Sequence, residues 1–258
     1  MKQTNYTVLT NEPVGRDTYR LRLSGDSSAI TAPGQFVNLR IGGLFLRRPI
    51  SVSDASGGVV TLLYKVVGKG TKQLSEMPSG SAIDTLTGLG NGFDVSRAGD
   101  APLLIGGGIG TAPLYMLCRV LREQGKPVSV ALGFASAGDA VLVQELQALG
   151  AQVSVATVDG TLGRRGFATD VLPAEYSYFY ACGPEPMLRA VYSATHGEGE
   201  LSFEERMGCG FGACMGCSCK TKYGPKRICK DGPVLLKSEV IWDAESGYTC
   251  HAVRPAAG

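Results

Sequence analysis

The sequence predicts a multidomain β plus α/β fold, because its rhythm changes twice along 258 residues. From about residue 5 to 95, short runs alternate apolar and polar side chains and are broken by Gly, Pro, Asp and Ser, which is strand punctuation. From about residue 100, apolar strands alternate with helical periods, as in a parallel sheet with crossover helices. After residue 200 the chain is short, rich in Cys, Gly and Lys, and too small to bury a core of its own, so a metal centre is expected to hold it.

The first part contains YTVLT, TYRLRL, QFVNLRI, RPISVS, VVTLLYKVV and SAIDTLTG, with Tyr19, Leu21 and Leu23 alternating with polar residues. These are the strands of an antiparallel barrel or sandwich, and no helical period stands out among them. In the second part PLLIGGG runs from a strand into glycines, and Leu114, Leu117, Cys118 and Leu121 follow at helical spacing. VSVALGF, AVLVQELQAL, QVSVATV, YSYFYACG and PEPMLRAVYSA continue the alternation.

Composition narrows the function classes. Apolar residues at 44% and charged residues at 19% are the mix of a globular protein. The 36 glycines are about twice the usual share, but they cluster without a period, which excludes collagen-like and solenoid folds. With 25 Lys and Arg against 23 Asp and Glu, nothing calls for a nucleic acid or an anionic membrane as partner. The start MKQTNYTVLT lacks the apolar run of a secretory signal, and no stretch approaches the roughly 18 apolar residues of a membrane span, so a cytoplasmic protein is expected. In a reducing compartment the eight cysteines read as metal-binding or redox residues rather than disulfides. Cys118 and Cys182, in apolar surroundings, read by default as small core residues.

Cys209-x4-Cys214-x2-Cys217, with Cys229 beyond a basic loop, has the plant-type [2Fe–2S] ligand spacing. Gly208, Gly210, Gly212 and Gly216 fall between or beside the ligands, where positive φ and close backbone approach let amide N–H groups reach the sulfurs. Cys209, Cys214, Cys217 and Cys229 are the expected ligands, and Cys219 falls one strand repeat past Cys217. The C-x2-C clip also suits a zinc knuckle, although such sites usually pair two clips and this chain has one.

Gly106, Gly107, Gly108, Gly110 and Thr111 follow a strand and open a helix, so they are placed to face a pyrophosphate or else to serve tight packing. No acidic residue follows VSVALGF at once, so the ribose rule of the Rossmann fold does not carry over. Cys182, Gly183 and Pro184 end another strand on the same carboxyl edge. Gly183 there admits a nicotinamide ring and Cys182 sits beside the reacting carbon, or the run simply starts a helix with Pro in its first turn. In the first part, Arg48-Pro49-Ile50-Ser51 offers a guanidinium for a phosphate, and Gly68-Lys69-Gly70-Thr71 a small turn able to approach one.

Taken in order, Arg48-Pro49-Ile50-Ser51, Gly68-Lys69-Gly70-Thr71, GGGIGTAPL and ACGPEPM resemble the ferredoxin–NADP reductase superfamily. With Glu204 to Cys217 and Ile228 to Val234 added, the chain resembles the electron-transfer subunits of type B dihydroorotate dehydrogenases along nearly its whole length. The resemblance implies an FAD-binding β-barrel over 1–97, an NAD-binding parallel-sheet domain over 98–200 and a [2Fe–2S] segment over 201–258. It assigns FAD to Arg48, Pro49, Ile50, Ser51, Leu63, Tyr64, Lys65, Gly70 and Thr71, and the cluster to the same four cysteines. It also implies the route, from FMN on a separate dihydroorotate-oxidising subunit through the cluster and FAD to NAD+ in pyrimidine synthesis, in a heterotetramer of two plus two. A hydrogenase or a ferredoxin-dependent transhydrogenase subunit is the alternative partner setting. Arg164 and Arg165 could reach a 2′-phosphate, so the preference for NAD over NADP comes from the resemblance alone.

The chemistry is consistent with that route. A cluster passes single electrons and NAD+ accepts a hydride, and a flavin works in either mode. With only His196 and His251, and neither in a motif, a hydrolytic triad or a zinc–histidine mechanism has no footing. Lys220, Lys222, Lys226, Arg227 and Lys230 surround the fourth ligand, either as a solvated face or as a face that docks the partner.

Overall fold

Each strand run expected in the first 97 residues forms a strand in the computed structural model, which describes residues 1–242. They are β1 (Lys2–Gly15), β2 (Thr18–Ser24), β3 (Phe36–Leu39), β4 (Arg48–Ser56), β5 (Val59–Lys65) and β6 (Ala82–Leu89). Antiparallel pairing in the order β1-β2-β5-β4-β3-β6 closes on itself, which decides for a barrel over a sandwich. The period of two sends Leu21, Leu23, Val60 and Leu62 inward with Tyr6 and Val8, and this interior is one continuous apolar cluster.

One helix in this part runs against the expectation of strands alone. It is α1 (Lys69–Ser75), between β5 and β6, and Leu74 is its one buried large apolar side chain, too little to print a helical period. Turn chemistry starts it instead: Thr71 Oγ1 accepts from the Val67 and Gly68 amides at 2.9 and 3.2 Å.

The second part supplies β7 (Pro102–Gly107), α2 (Ala112–Glu123), β8 (Ser129–Phe134), α3 (Val143–Ala148), β9 (Gln152–Thr157), β10 (Arg164–Arg165), β11 (Tyr178–Cys182), α4 (Glu185–Ala194) and β12 (Gly199–Ser202). The third adds a hairpin, β13 (Ser218–Thr221) with β14 (Gly224–Arg227), and a strand, β15 (Val234–Leu236). Seven strands form one sheet in the order β10-β9-β8-β7-β11-β12-β15, parallel except for β15. The last segment is therefore built onto the nucleotide-domain sheet, with β12 running across residues 200 and 201. The part after residue 242, with Cys250 and His251, lies outside the described residues.

Helix α2 joins barrel to sheet through its two faces. Leu114, Leu117, Cys118 and Leu121 enter the core of the sheet, whereas Met116 enters that of the barrel. An ion pair from Arg119 to Asp54 at 2.8 Å and one from Arg20 to Glu145 reinforce the junction. No two of the seven described cysteines are bonded, and among the described residues no helix is long and apolar enough to cross a membrane.

Glu200 on β12 makes the third segment's junction sensitive to pH. It is 4% exposed beside a cavity of about 430 Å³ that Asp94, Arg97, Lys226 and Glu239 also line, and its Oε2 accepts from the Asp94 amide at 3.0 Å. Burial pushes its pKa from 4.5 up to about 7. Because the folded value is the higher one, the protonated carboxyl's stabilisation is complete below 4.5 and is lost as pH rises through about 7. Glu200→Gln keeps the acceptor and removes the charge. It is expected to gain on the order of 1–2 kcal/mol over wild type near pH 8 and to flatten the stability profile between about pH 5 and 8. Urea unfolding at several pH values measures this, and an unchanged profile would assign the slope to another group.

Candidate functional site

Barrel and sheet face each other across a cleft of about 330 Å³. Arg48, Pro49, Ile50 and Ser51 of β4, Leu63, Tyr64 and Lys65 of β5, and Thr71 of α1 form one wall; Gly110, Cys182, Ser202, Phe203, Glu204 and Met207 form the other. The two barrel motifs explain each other. The Arg48 guanidinium lies over Gly70, where a Cβ would fall 2.2 Å from Nε, and its Nη1 donates to the Leu46 carbonyl at 2.6 Å. Any side chain at 70 would displace the arginine, so Gly70 serves Arg48. Leu63 and Tyr64 are buried in the wall, with the Tyr64 hydroxyl donating to Asn11 Oδ1 at 2.9 Å.

The glycine run divides by role. A Cβ on Gly106 would meet Leu132 Cδ2 and Thr111 Oγ1 at 2.9 Å, one on Gly107 would meet Met187 Sδ at 2.2 Å, and one on Gly110 would meet the Cys182 carbonyl oxygen at 2.5 Å. These three allow close packing. Gly108, at φ +52 with open space around it, instead exposes its backbone to a second cavity. Gly106 and Thr111 line neither cavity, and the Thr111 hydroxyl is buried without a hydrogen-bond partner among the described residues.

That second cavity, of about 570 Å³, opens at the carboxyl edge of the sheet between Gly107, Gly108, Phe134, Phe167, Pro184 and Met187. Among the described residues Lys65 and Asp139 are its only charged lining residues, and they pair with each other at 3.4 Å. Arg164 and Arg165 are exposed on β10 and do not line it; Arg164 Nη1 donates to the Asp170 carbonyl at 2.7 Å. Lys65 lines both cavities, and the run from Cys182 to Pro184 forms the wall between them. Gly183 packs there against Met187 and the Gly107 amide.

Cys182 is 3% exposed, and burial pushes its thiol up to about 12, with the Glu204 carboxylate adding to the effect. Burial thus favours the neutral thiol, while the Ser202 side chain, opposite it in the β11–β12 register, pulls the other way. Ser202 was not singled out from the sequence, and Glu204 only as the first residue of the run that carries the resemblance. Their signal toward Cys182 is position alone, Ser202 at the end of β12 and Glu204 just before the cysteine segment.

The four expected ligands come together as two pairs. The Cys209 amide donates to Cys214 Sγ at 3.4 Å, and the Cys229 amide donates to Cys217 Sγ at 3.3 Å. Cys209 Sγ also accepts from Ala213, Cys214 and Phe211 amides at 3.2, 3.4 and 3.5 Å. Burial opposes charge on Cys209, but these donors outweigh it and hold its pKa near 6. Cys229 goes the other way, up to about 12, through burial and the neighbouring Cys217 and Cys209. Among the described residues no three donors converge as a single metal ion would need, whereas two thiol pairs suit a two-iron centre. Gly210 and Gly212 have φ of +78 and +93, as a loop folded around sulfurs requires. Cys219 is buried in β13, within the hairpin that connects the third ligand to the fourth.

The basic run is partly neutralised from within. Lys226 pairs with Glu239 at 2.7 Å and Arg227 with Asp231 at 2.9 Å, while Arg227 Nη1 donates to the Gly212 carbonyl at 2.9 Å. Arg227 thus ties down the ligand loop instead of standing free for a partner. Phe211, Met215 and Tyr223 are the exposed apolar side chains of this face.

Residues 204–241 match the family model described as the iron-sulfur cluster binding domain of dihydroorotate dehydrogenase B. Over the whole chain, dihydroorotate dehydrogenase B (NAD(+)) electron transfer subunits are similar. The one from Fusobacterium nucleatum is 41% identical, covering 93% of this chain and 99% of that one, and the one from Shouchella clausii is 42% identical, covering 93% and 98%. A solved structure of the NADH-dependent reduced ferredoxin–NADP oxidoreductase, from work on flavin-based electron bifurcation, superposes with a TM-score of 0.83 at 28% identity, covering 92% of this chain and 90% of that one. The ferredoxin reductase of carbazole 1,9a-dioxygenase gives 0.65 at 25% identity, covering 75% and 65%.

Proposed function

We propose, because the chain belongs to the family of dihydroorotate dehydrogenase B electron-transfer subunits, that it carries electrons from an FMN-containing catalytic subunit through a [2Fe–2S] centre and FAD to NAD+ in pyrimidine synthesis. The observation that carries this reading is adjacency: Met207 lines the cleft and Cys209, two residues on, begins the paired thiols. Identity of 41–42% to these subunits, against 28% to the reduced ferredoxin–NADP oxidoreductase, favours this setting over a transhydrogenase.

Bound FAD would exchange a hydride with the nicotinamide and single electrons with the cluster. Around it, each residue has a separate task. Arg48, braced over Gly70, would take a phosphate, with Pro49, Ile50, Ser51 and Thr71 beside it and Leu63, Tyr64 and Lys65 along the ring. Cys182, as a neutral thiol, would pack against the meeting point of the two rings without attacking either. NAD would lie in the second cavity over Gly107, Gly108 and Pro184, with Gly106, Gly110, Thr111 and Gly183 shaping its wall from behind. Among the described residues that line this cavity Lys65 is the one cation, and it pairs with Asp139, which Arg16 also approaches at 3.8 Å from outside the lining; a cavity with its lining cation already paired supports NAD over NADP. Cys209 with Cys214 would hold one iron, and Cys217 with Cys229 the other. We assign the barrel to 1–97, the nucleotide domain to 98–200 and the cluster segment to 201–258. The exposed Phe211, Met215 and Tyr223 suit a catalytic subunit docked near Cys214, in an assembly of two plus two.

Anaerobic purification should give a spectrum with both flavin and cluster bands, and iron matched by acid-labile sulfide. Mixed with the FMN-containing subunit from the same source, the chain should couple dihydroorotate oxidation to NAD+ reduction. A colourless zinc protein, or an iron-replete one that does not couple, would defeat the proposal. Arg48→Ala is expected to weaken FAD binding about 10- to 100-fold, the worth of a charge-assisted hydrogen bond. Flavin fluorescence titration measures it, and unaltered affinity would place the phosphate elsewhere.

A further inference from the structure

A buried amide joins the ligand loop to the barrel. Asn38 stands in β3, 1% exposed, opposite Pro49 of β4. Its Nδ2 donates to the Cys209 carbonyl at 3.3 Å. On its other side, Pro49 brings no amide hydrogen to the ladder, and the Asn38 backbone carbonyl accepts from Arg47 Nη1 at 3.3 Å. Arg47 is itself fixed by Asp84 at 2.8 Å. Gly210 closes over the same amide: at φ +78, with a would-be Cβ 2.3 Å from Nδ2, the position admits no side chain.

Barrel stability does not account for an asparagine here. Among the described residues its Oδ1 is buried with no hydrogen-bond partner, a cost that an apolar side chain of the same size would avoid. What the amide adds is a directed bond across 171 residues, from the strand beside Pro49 to a cluster ligand.

We infer that Asn38 is a positioning residue for electron transfer between cluster and flavin, holding the Cys209 side of the iron centre at a fixed separation from the β4 wall. The inference rests on the proposed electron route. In that transfer one electron leaves the reduced flavin and converts a ferric iron to ferrous, or the reverse. Asn38 neither ligates nor donates a proton to a reacting atom; it sets where the two centres stand, and a small misplacement is costly to a transfer step.

The test uses the iron-replete full-length protein, as wild type, Asn38→Leu and Asn38→Asp. NADH is mixed in rapidly, and flavin bleaching is followed separately from loss of the cluster bands. Amide hydrogen exchange is read at Cys209 to Ala213, with β7 amides as the control for folding. Flavin bleaching should stay within about twofold of wild type, whereas cluster reduction should slow about tenfold and the loop amides exchange about tenfold faster, as for one lost hydrogen bond. Iron-replete variants with wild-type cluster reduction and wild-type loop exchange would overturn the inference and leave the electron route intact. A wild-type protein free of iron would remove the route and the inference together.

Discussion

Cys214→Ser is expected to abolish transfer between this chain and its catalytic subunit while sparing the exchange between NADH and FAD. The substitution removes one thiolate from the Cys209–Cys214 pair, and the hydroxyl that replaces it is a far weaker acid and a harder donor than iron–sulfur chemistry uses. The loop loses one contact with this sulfur, the Cys209 amide's, and keeps others. Three backbone amides, including that of Cys214 itself, point at Cys209 and do not depend on the side chain at 214. Outer-shell changes around metals typically cost 10- to 100-fold, so loss of a ligand should lower dihydroorotate-to-NAD+ flux by more than about 100-fold. Iron and sulfide should fall together. Flavin content and NADH-driven reduction of an artificial two-electron acceptor should remain, since Arg48 and Lys65 lie on barrel strands and Gly70 on α1, away from the ligand loop. A variant that loses its iron yet keeps the flux would show that electrons do not pass through these four cysteines.

How much of this was legible in the sequence depended on how local each determinant is. The six barrel strands could be read because alternation in β2 and β5 is a nearest-neighbour pattern that burial imposes directly. Helix α1 could not, since a seven-residue helix with Leu74 alone on its buried apolar side leaves no period. The four proposed ligands could be named from spacing alone. The pairing of Cys209 with Cys214 and of Cys217 with Cys229 was not, because it depends on how the hairpin β13–β14 returns the chain. Whether the basic run was a solvated face or a docking face stayed open because Glu239 and Asp231, which neutralise Lys226 and Arg227, are ordinary acidic residues in sequence. Asn38 carried no signal at all: its partner is a backbone carbonyl, and backbone carbonyls have no residue type.

The glycine run leads to the second large effect. Sequence alone left open whether these glycines face a ligand or permit packing, and the structure makes the two uses separable by mutation. Gly107→Ala brings a Cβ to 2.2 Å from a neighbour, nearer than the 2.5 Å of Gly110→Ala. The nearer contact is nevertheless the milder one, because Met187 Sδ belongs to a flexible side chain that can swing aside. At Gly110 the contacts are the Cys182 carbonyl oxygen at 2.5 Å and the Cys182 carbonyl carbon and Gly183 Cα, each at 2.6 Å, all of them backbone in a wall shared by both cavities. Either the turn after β7 or the end of β11 must move. Overpacking of this kind costs about 1–3 kcal/mol. The functional loss should be larger than the stability loss, because a displacement near 1 Å between reacting groups can cost about 100-fold in rate. Gly110→Ala is therefore expected to lower the melting temperature modestly and NADH-to-flavin hydride transfer about 100-fold, with the rate of cluster reduction by chemically pre-reduced flavin little changed. Gly107→Ala should stay within about tenfold of wild type, the scale of the 1.4 kcal/mol that a repacked side chain costs. Stopped-flow bleaching of the flavin in both variants decides the matter, and equal losses would mean that the ligand, not the wall at Cys182, sets the need for glycine.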